Sequence, residues 1–391
     1  MNGQHVNFET PTDVATLGQV FTPEVIVKKM LALRQRRGSV LEPAAGKGIF
    51  LEQLGEATAI GIEYDARLIP KRYKAQIKVC DFFSYPRSRK FATIIGNPPY
   101  VRYQDIRPTT KHRLNHTLFD KRTNLYLFFI EKCLDHLDSK GELIFITPRD
   151  FLKATSAKNL NARLYNEGTM THFYDLGDNA LFGPYTPNCA IWRWEKGLMR
   201  RKMQTGGYFC HHRGQLWFST TKEASHKKIT LSEYFTVKVG AVSGADHIFT
   251  HDRYGNQNFV CSQTRRTGKT RRMIYNAKKK YLSRYKTELL QRRVTKFDET
   301  NWWMWGRGYH ESTSERIYVN NKTRHSNPFF MHEERAYDGS VLALFPKSDI
   351  DLEKATSRLN AINWHKLGFV CDGRYLFSQR GLQYAPLGIW L

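Results

Sequence analysis

Short apolar runs recur through the first half of the chain, each closed by an acidic, polar or small residue. Examples are Val40-Leu41, Ala59-Ile60-Gly61-Ile62, Phe91-Ala92-Thr93-Ile94-Ile95 and Leu143-Ile144-Phe145-Ile146. Runs without polar alternation predict strands covered on both faces. They place strands near 39–43, 58–63, 76–80, 91–96, 142–147, 171–176 and 188–195. Helical spacing lies between them at 23–34, 47–54, 124–138 and 157–166. The apolar positions from Leu125 to Leu137 are the most regular, and that helix is expected to end before Gly141. Strands alternating with helices predict an α/β fold with a doubly wound, mostly parallel sheet. From about residue 197 the rhythm stops and tryptophan and arginine become frequent, so two domains are expected, 1–200 and 201–391, with the linker in 196–207. The cluster Trp302-Trp303-Met304-Trp305 reads as core of the second.

Polar residues at the ends of these strands carry the candidate chemistry. The fourth run ends in Asn97-Pro98-Pro99-Tyr100. An exocyclic amine on a planar base is a poor nucleophile, because its lone pair is delocalised into the ring. The Asn97 side-chain carbonyl and the Pro98 backbone carbonyl can each accept one N–H and draw that nitrogen toward a tetrahedral shape. Pro98 and Pro99 have fixed φ and offer no donors, which holds those carbonyls in place. Tyr100 offers a flat face for the base. The first run leads into Glu42-Pro43-Ala44-Ala45-Gly46-Lys47-Gly48, a small-residue turn before a helix start. Gly46 and Gly48 allow close backbone approach to a ligand at the carboxyl edge of the sheet. The turn lacks both the Gly-x-Gly-x-x-Gly pattern and the Gly-Lys-Ser/Thr ending of phosphate loops. The acid at the strand end, Glu42, suits a cationic amino group better than a pyrophosphate, and S-adenosylmethionine carries such a group. Glu63 closes the second run, where an acid accepts ribose hydroxyls. Asp81 closes the third, placed for an adenine amino group, with Phe82 beside the ring.

These motifs together resemble the gamma-type, TaqI-like adenine-N6 DNA methyltransferases of restriction-modification systems. Gly18-Gln19-Val20-Phe21-Thr22-Pro23 is similar to the family's N-terminal motif, and the resemblance implies that Thr22 and Pro23 face the methionine part of the cofactor. The segment Asn124-Leu125-Tyr126-Leu127-Phe128-Phe129 is similar to the one that follows the catalytic motif. Phe182-Gly183-Pro184-Tyr185 is similar to the motif that supplies a second aromatic, here Phe182, with Tyr185 close enough to serve instead. The strong part of the resemblance covers about residues 16–196, with weaker echoes at 239–244 and 373–380. It implies a Rossmann-like class I methyltransferase domain, a C-terminal DNA-recognition domain, S-adenosylmethionine as cofactor, and transfer to N6 of an adenine flipped out of duplex DNA.

Charge points to the same partner. The net charge is +25 and the isoelectric point about 9.8. Residues 1–200 carry 29 Lys and Arg against 20 Asp and Glu; residues 201–391 carry 32 against 16. Thirteen basic residues and one acid, Glu288, lie between Arg265 and Lys296. Arg265-Arg266, Arg271-Arg272 and Lys278-Lys279-Lys280 are expected to grip phosphates, and Arg292-Arg293 with Tyr275, Tyr281 and Tyr285 lie in the same run. No run of eighteen apolar residues occurs, and the N-terminus lacks the basic and apolar parts of a signal peptide. A cytoplasmic monomer is expected, bacterial, archaeal or phage-encoded, and any cognate restriction nuclease in the same cell is expected not to be stably bound. Six cysteines without a Cys-x-x-Cys pair imply neither a disulfide framework nor a zinc site, and Cys210-His211-His212 reads as structural. No Pro-Cys pair is present for ring-carbon methylation of cytosine, and no His-x-Glu and Cys-x-x-Cys set for deamination. Amino-cytosine methylation is chemically close. The alternatives are a glutamine methyltransferase of the release-factor type, where Asn-Pro-Pro-Tyr also occurs, and a catalytically idle DNA-binding subunit of a modification complex.

Overall fold

A computed structural model describes residues 22–177, 189–219, 229–365, 367–371 and 374–387. The chain divides into two compact units, Met1–His226 and Lys227–Leu391. The division falls 26 residues after the expected 200/201 boundary. The hairpin Tyr208–His212 (β8) and Gln215–Ser219 (β9) accounts for the difference. Phe209 and Leu216 are fully buried in the first unit's core, and Asn161 Nδ2 donates to Gly214 O at 3.0 Å.

The first unit is built on seven strands: Val40–Glu42 (β1), Ala59–Glu63 (β2), Ile77–Val79 (β3), Phe91–Gly96 (β4), Leu137–Pro148 (β5), Gly168–Asp175 (β6) and Cys189–Lys196 (β7). Their spatial order is β3-β2-β1-β4-β5-β7-β6, and β7 runs against the other six. This is the mostly parallel α/β sheet expected from the apolar runs. The helices Glu24–Leu31 (α1), Ile49–Leu54 (α2), Leu125–His136 (α3) and Lys158–Glu167 (α4) are the four that helical spacing predicted. One sheet face packs under α3 and α4, the other under α1 and α2. Helix α3 passes into β5 at Leu137 without a loop, so the helix ends two residues earlier than expected.

One feature of this sheet has no apolar signature. Arg193, in the middle of β7, is fully buried and donates to Glu142 Oε2 at 2.7 Å, Glu195 Oε2 at 2.9 Å and Thr171 Oγ1 at 2.7 Å. Glu142 also accepts from the Gln35 and Arg36 amides and from Thr93 Oγ1. The network ties β4, β5, β6 and β7 to the chain after α1.

The second unit is antiparallel. Its main sheet joins Phe235–Val239 (β10), Ile317–Asn320 (β13), Phe329–Met331 (β15) and Val341–Pro346 (β16) in the order β10-β16-β13-β15. Between β10 and β13 lies a two-stranded sheet, Gln257–Phe259 (β11) with Arg271–Met273 (β12). Beyond β13 a small sheet joins Lys322–Thr323 (β14), Val370–Cys371 (β17) and Arg374–Leu376 (β18). Helix Leu352–Ala361 (α5) packs beside Trp364, Phe369 and Phe377 in one core. A second core contains Trp302 and Trp305, as the tryptophan cluster suggested, and Trp305 Nε1 donates to Ile274 O at 2.8 Å. No helix among the described residues is long and apolar enough to cross a membrane.

Candidate active site

The strand order β3-β2-β1-β4 sets four chain reversals side by side at the carboxyl edge of the sheet. Glu42 ends β1, Glu63 ends β2, Asp81 follows β3 and Asn97 follows β4. Adjacent parallel strands place their ends on one rim, where ligands of open α/β sheets bind. All four side chains line a single cavity of about 390 Å³, with Thr22, Pro43, Ala44, Gly46, Phe82 and Pro99. Pro23, Gly48, Pro98 and Tyr100 lie outside that lining.

The glycine turn divides its work. Gly46 lines the cavity and its amide donates to Glu63 Oε2 at 2.7 Å. Gly48 has φ +80°, and a Cβ there would meet the Tyr73 ring at 3.1 Å. It serves the start of α2 and its packing.

The acids differ in their surroundings. Glu42 is 1 % exposed, and its Oε2 has no hydrogen-bond partner among the described residues. Burial, then the neighbouring Glu63, holds its carboxyl well above the ordinary carboxylate range. Burial also raises Glu63, against the amides of Asp65 and Gly46, which donate to its two oxygens. A buried carboxylate oxygen without a partner beside a second acid is costly unless a cation joins it. The donor set therefore fits a small cationic ligand group, with apolar walls for the rest of the molecule. Asp81 accepts from the Phe83 amide at 2.9 Å and from Thr110 Oγ1 at 2.8 Å.

In the tetrapeptide, Asn97 Nδ2 donates to Thr22 Oγ1 at 3.2 Å, so the Thr-Pro segment orients the Asn97 amide. The Tyr100 hydroxyl donates to Ile146 O at 2.9 Å, and its ring meets Tyr126 edge-on at 5.9 Å. Burial pushes that phenol well above its ordinary value. Phe182 and Tyr185, like Gly18 to Phe21, lie outside the described residues.

Sequence reasoning missed Tyr64, Arg107 and Thr110, which also line the cavity. Tyr64 directly follows Glu63 and was within reach of a positional argument. Arg107 and Thr110 fall in an aperiodic stretch between the tetrapeptide and Asn124, which gave no signal.

In the second unit the basic run is not one surface. Arg266, Arg272, Lys278, Lys279 and Lys280 are exposed. Arg265 is half-buried and donates to Asn327 O at 3.0 Å. Arg271 lies between Asp246 at 3.5 Å and the buried Asp338 at 3.6 Å. Arg292 is interior: it donates to the carbonyls of Leu289, Ser243, Trp302 and Met304, and burial lowers it to about 10. It closes a loop by capping carbonyls. Tyr281, one of the tyrosines noted in the basic run, belongs to an aromatic group beside the lysines whose other members the sequence did not point to. His251 lies 4.6 Å from both Tyr254 and Tyr281, and the Arg284 guanidinium lies 4.4 Å over the Tyr281 ring. Cys210 and His211 pack in β8; burial raises the thiol to about 12 and lowers the imidazole to about 4. No group of three or more metal-ligating side chains occurs among the described residues.

Residues 51–182 match the Eco57I restriction-modification methylase family. The type II methyltransferase M.HincII of Haemophilus influenzae is 31% identical over 192 residues, covering 46% of this chain and 38% of that protein. M.TthHB8I of Thermus thermophilus is 31% identical over 198 residues, covering 46% of each chain. The chain thus spans less than half the length of these relatives. Among solved structures, the DrdV–DNA complex has a TM-score of 0.53 at 11% identity, covering 88% of this chain and 50% of that one, which is a likeness of fold. Through the segment that carries Glu63, Asp81, Asn97 and α3, the chain is similar to the restriction-modification methylases.

Proposed function

We propose that this chain transfers a methyl group from S-adenosylmethionine to the N6 amino group of an adenine flipped out of duplex DNA, as the modification half of a restriction-modification system. The observation that carries this reading is the meeting of Glu42, Glu63, Asp81 and Asn97 on one cavity at the carboxyl edge of the sheet.

When bound, the cofactor supplies a methyl group already activated on a sulfonium. The chain supplies placement and charge. Glu42 faces the ligand's ammonium group. Glu63, held by two backbone amides, accepts the ribose hydroxyls, and Asp81 accepts the adenine amino hydrogen. Asn97, oriented by Thr22, and the Pro98 carbonyl accept the two N–H groups of the target amine. Tyr100 and an aromatic of the 182–185 segment hold the flipped ring. Rate comes from fixed geometry and preorganised dipoles, and the amine proton leaves after the methyl arrives. The second unit grips phosphates through its exposed lysines and arginines. The chain acts as a cytoplasmic monomer, with its nuclease separate.

Purified protein, duplex DNA and methyl-labelled cofactor test the reading. After digestion to nucleosides, the label is expected in N6-methyladenine. Label in N4-methylcytosine overturns the choice of base, and label in a protein glutamine overturns DNA as substrate.

A further inference from the structure

The segment after Tyr100 forms one wall of the cavity through Ile106, Arg107 and Thr110. Two of its contacts reach the ends of other strands. The Arg107 guanidinium lies 4.6 Å over the Tyr64 ring, just past β2. Thr110, 8 % exposed, donates its hydroxyl to Asp81 Oδ2 at 2.8 Å, just past β3. The other oxygen, Oδ1, accepts from the Phe83 amide at 2.9 Å, the ordinary capping bond of the short turn Phe82–Ser84. Arg113 Nη1 stands 3.7 Å from Oδ2.

One bond leaves a carboxylate free to turn about Cβ–Cγ. Bonds to both oxygens, one local and one from a segment 29 residues on, fix its plane. A fixed plane has a consequence for purine recognition. An amino-purine presents an N–H at C6 and an acceptor at N1. An oxo-purine presents a carbonyl at C6 and an N–H at N1. A carboxylate that can swing reaches the N1–H and accepts either base. One that cannot swing takes the amino group and opposes the carbonyl.

We propose that Thr110 is a positioning residue that makes the cavity selective for an amino-purine over an oxo-purine cofactor base, by locking the plane of Asp81. The inference rests on the cofactor reading above. The Thr110 hydroxyl has a single proton and spends it on Oδ2, so it holds that oxygen as a donor.

Calorimetry with two thioethers, S-adenosylhomocysteine and S-inosylhomocysteine, tests it on the full chain. Wild type is expected to prefer the adenosine compound by about 10–100-fold, the worth of one hydrogen bond to a charged group. Thr110→Val keeps shape but not the proton; its preference is expected to fall to within about threefold, as the freed carboxylate takes up the inosine compound. Thr110→Ser restores the donor and the preference. Thr110→Ala is measured in parallel, so that misfolding of the valine variant leaves the question answerable. Preference unchanged in Val and Ala overturns the proposal, as does equal loss of both ligands, which marks a merely structural role. A wild type that binds both thioethers equally also overturns it while the cofactor reading stands. A wild type that binds neither overturns the cofactor reading itself.

Discussion

Glu42 and Asn97 line the same cavity at the carboxyl edge of the sheet. Glu42 is a buried acid whose carboxyl is raised by burial and by Glu63. A cationic ligand favours its ionised form, so cofactor affinity is expected to fall as pH drops through the raised value, and Glu42→Gln to abolish that dependence. The sign for stability is reversed. Because the folded form holds its proton more tightly than the unfolded chain, whose value is near 4.5, the contribution is full below that value and is lost as pH rises through the folded one. Glu42→Gln is therefore expected to gain in melting temperature over the ligand-free wild type as pH rises through that window, while binding the cofactor more weakly. Thermal melts across pH, with calorimetry beside them, check both signs. Asn97→Ala removes an acceptor from a preorganised site, which typically costs about 10²–10³ in rate. Single-turnover methylation is expected to fall by that much with cofactor affinity little changed. A rate within about threefold of wild type, far short of what removing such an acceptor usually costs, refutes the role given to Asn97.

At the scale of elements, the sheet is held in register by polar as well as apolar pairing. Arg193 meets Glu142, Glu195 and Thr171 with no exposure at all. Removing one partner of a buried ion pair leaves the other charge uncompensated, at a cost of about 3–5 kcal/mol. Arg193→Met is expected to lose that much in denaturant unfolding, and Glu142→Gln in the same background to recover part of it. Additive losses in the double variant would show that the two side chains do not act as a pair. The strands β1, β2, β4 and β5 and the helix α3 were legible because each buries a continuous apolar stripe. The ends of α3 and β5 were not, because Leu137 suits both a helix and a strand and the pairing with Phe91 decides between them.

At the scale of the molecule, the net charge of +25 suits a polyanionic partner, but the exposed basic surface is narrower than the charge run. Lys278, Lys279 and Lys280 are exposed, whereas Arg271 lies between two acids and Arg292 holds a loop together. DNA affinity is expected to fall steeply with salt. Reversing the three lysines to Glu is expected to flatten the log–log slope by about 0.9 for each phosphate no longer neutralised. Arg271→Ala is expected to lower the melting temperature more than it changes that slope. A slope that survives the lysine reversal shows that another surface carries the binding; the His251, Tyr254, Tyr281 and Arg284 group is then the next to vary. The basic run from Arg265 to Lys296 could not be divided from sequence, because whether an arginine faces solvent or a carbonyl depends on what packs beside it.

By itself the sequence determined the fold class, the order of elements in the first unit and four of the strand-end polar residues at the cavity. These follow from local rules: apolar runs make buried strands, and a parallel strand must end at the sheet's carboxyl edge, whatever the distant residues are. Tertiary structure alone decided which of those residues share a wall, that Gly48 serves packing, that Thr110 reaches Asp81 and that Arg193 lies inside. Thr110 and Asp81 are 29 residues apart and Arg193 and Glu142 are 51 apart, and such contacts depend on strand order and loop path, which no local pattern encodes. The position of the division near 226 was decided the same way, since the hairpin of β8 and β9 belongs to whichever core buries Phe209 and Leu216.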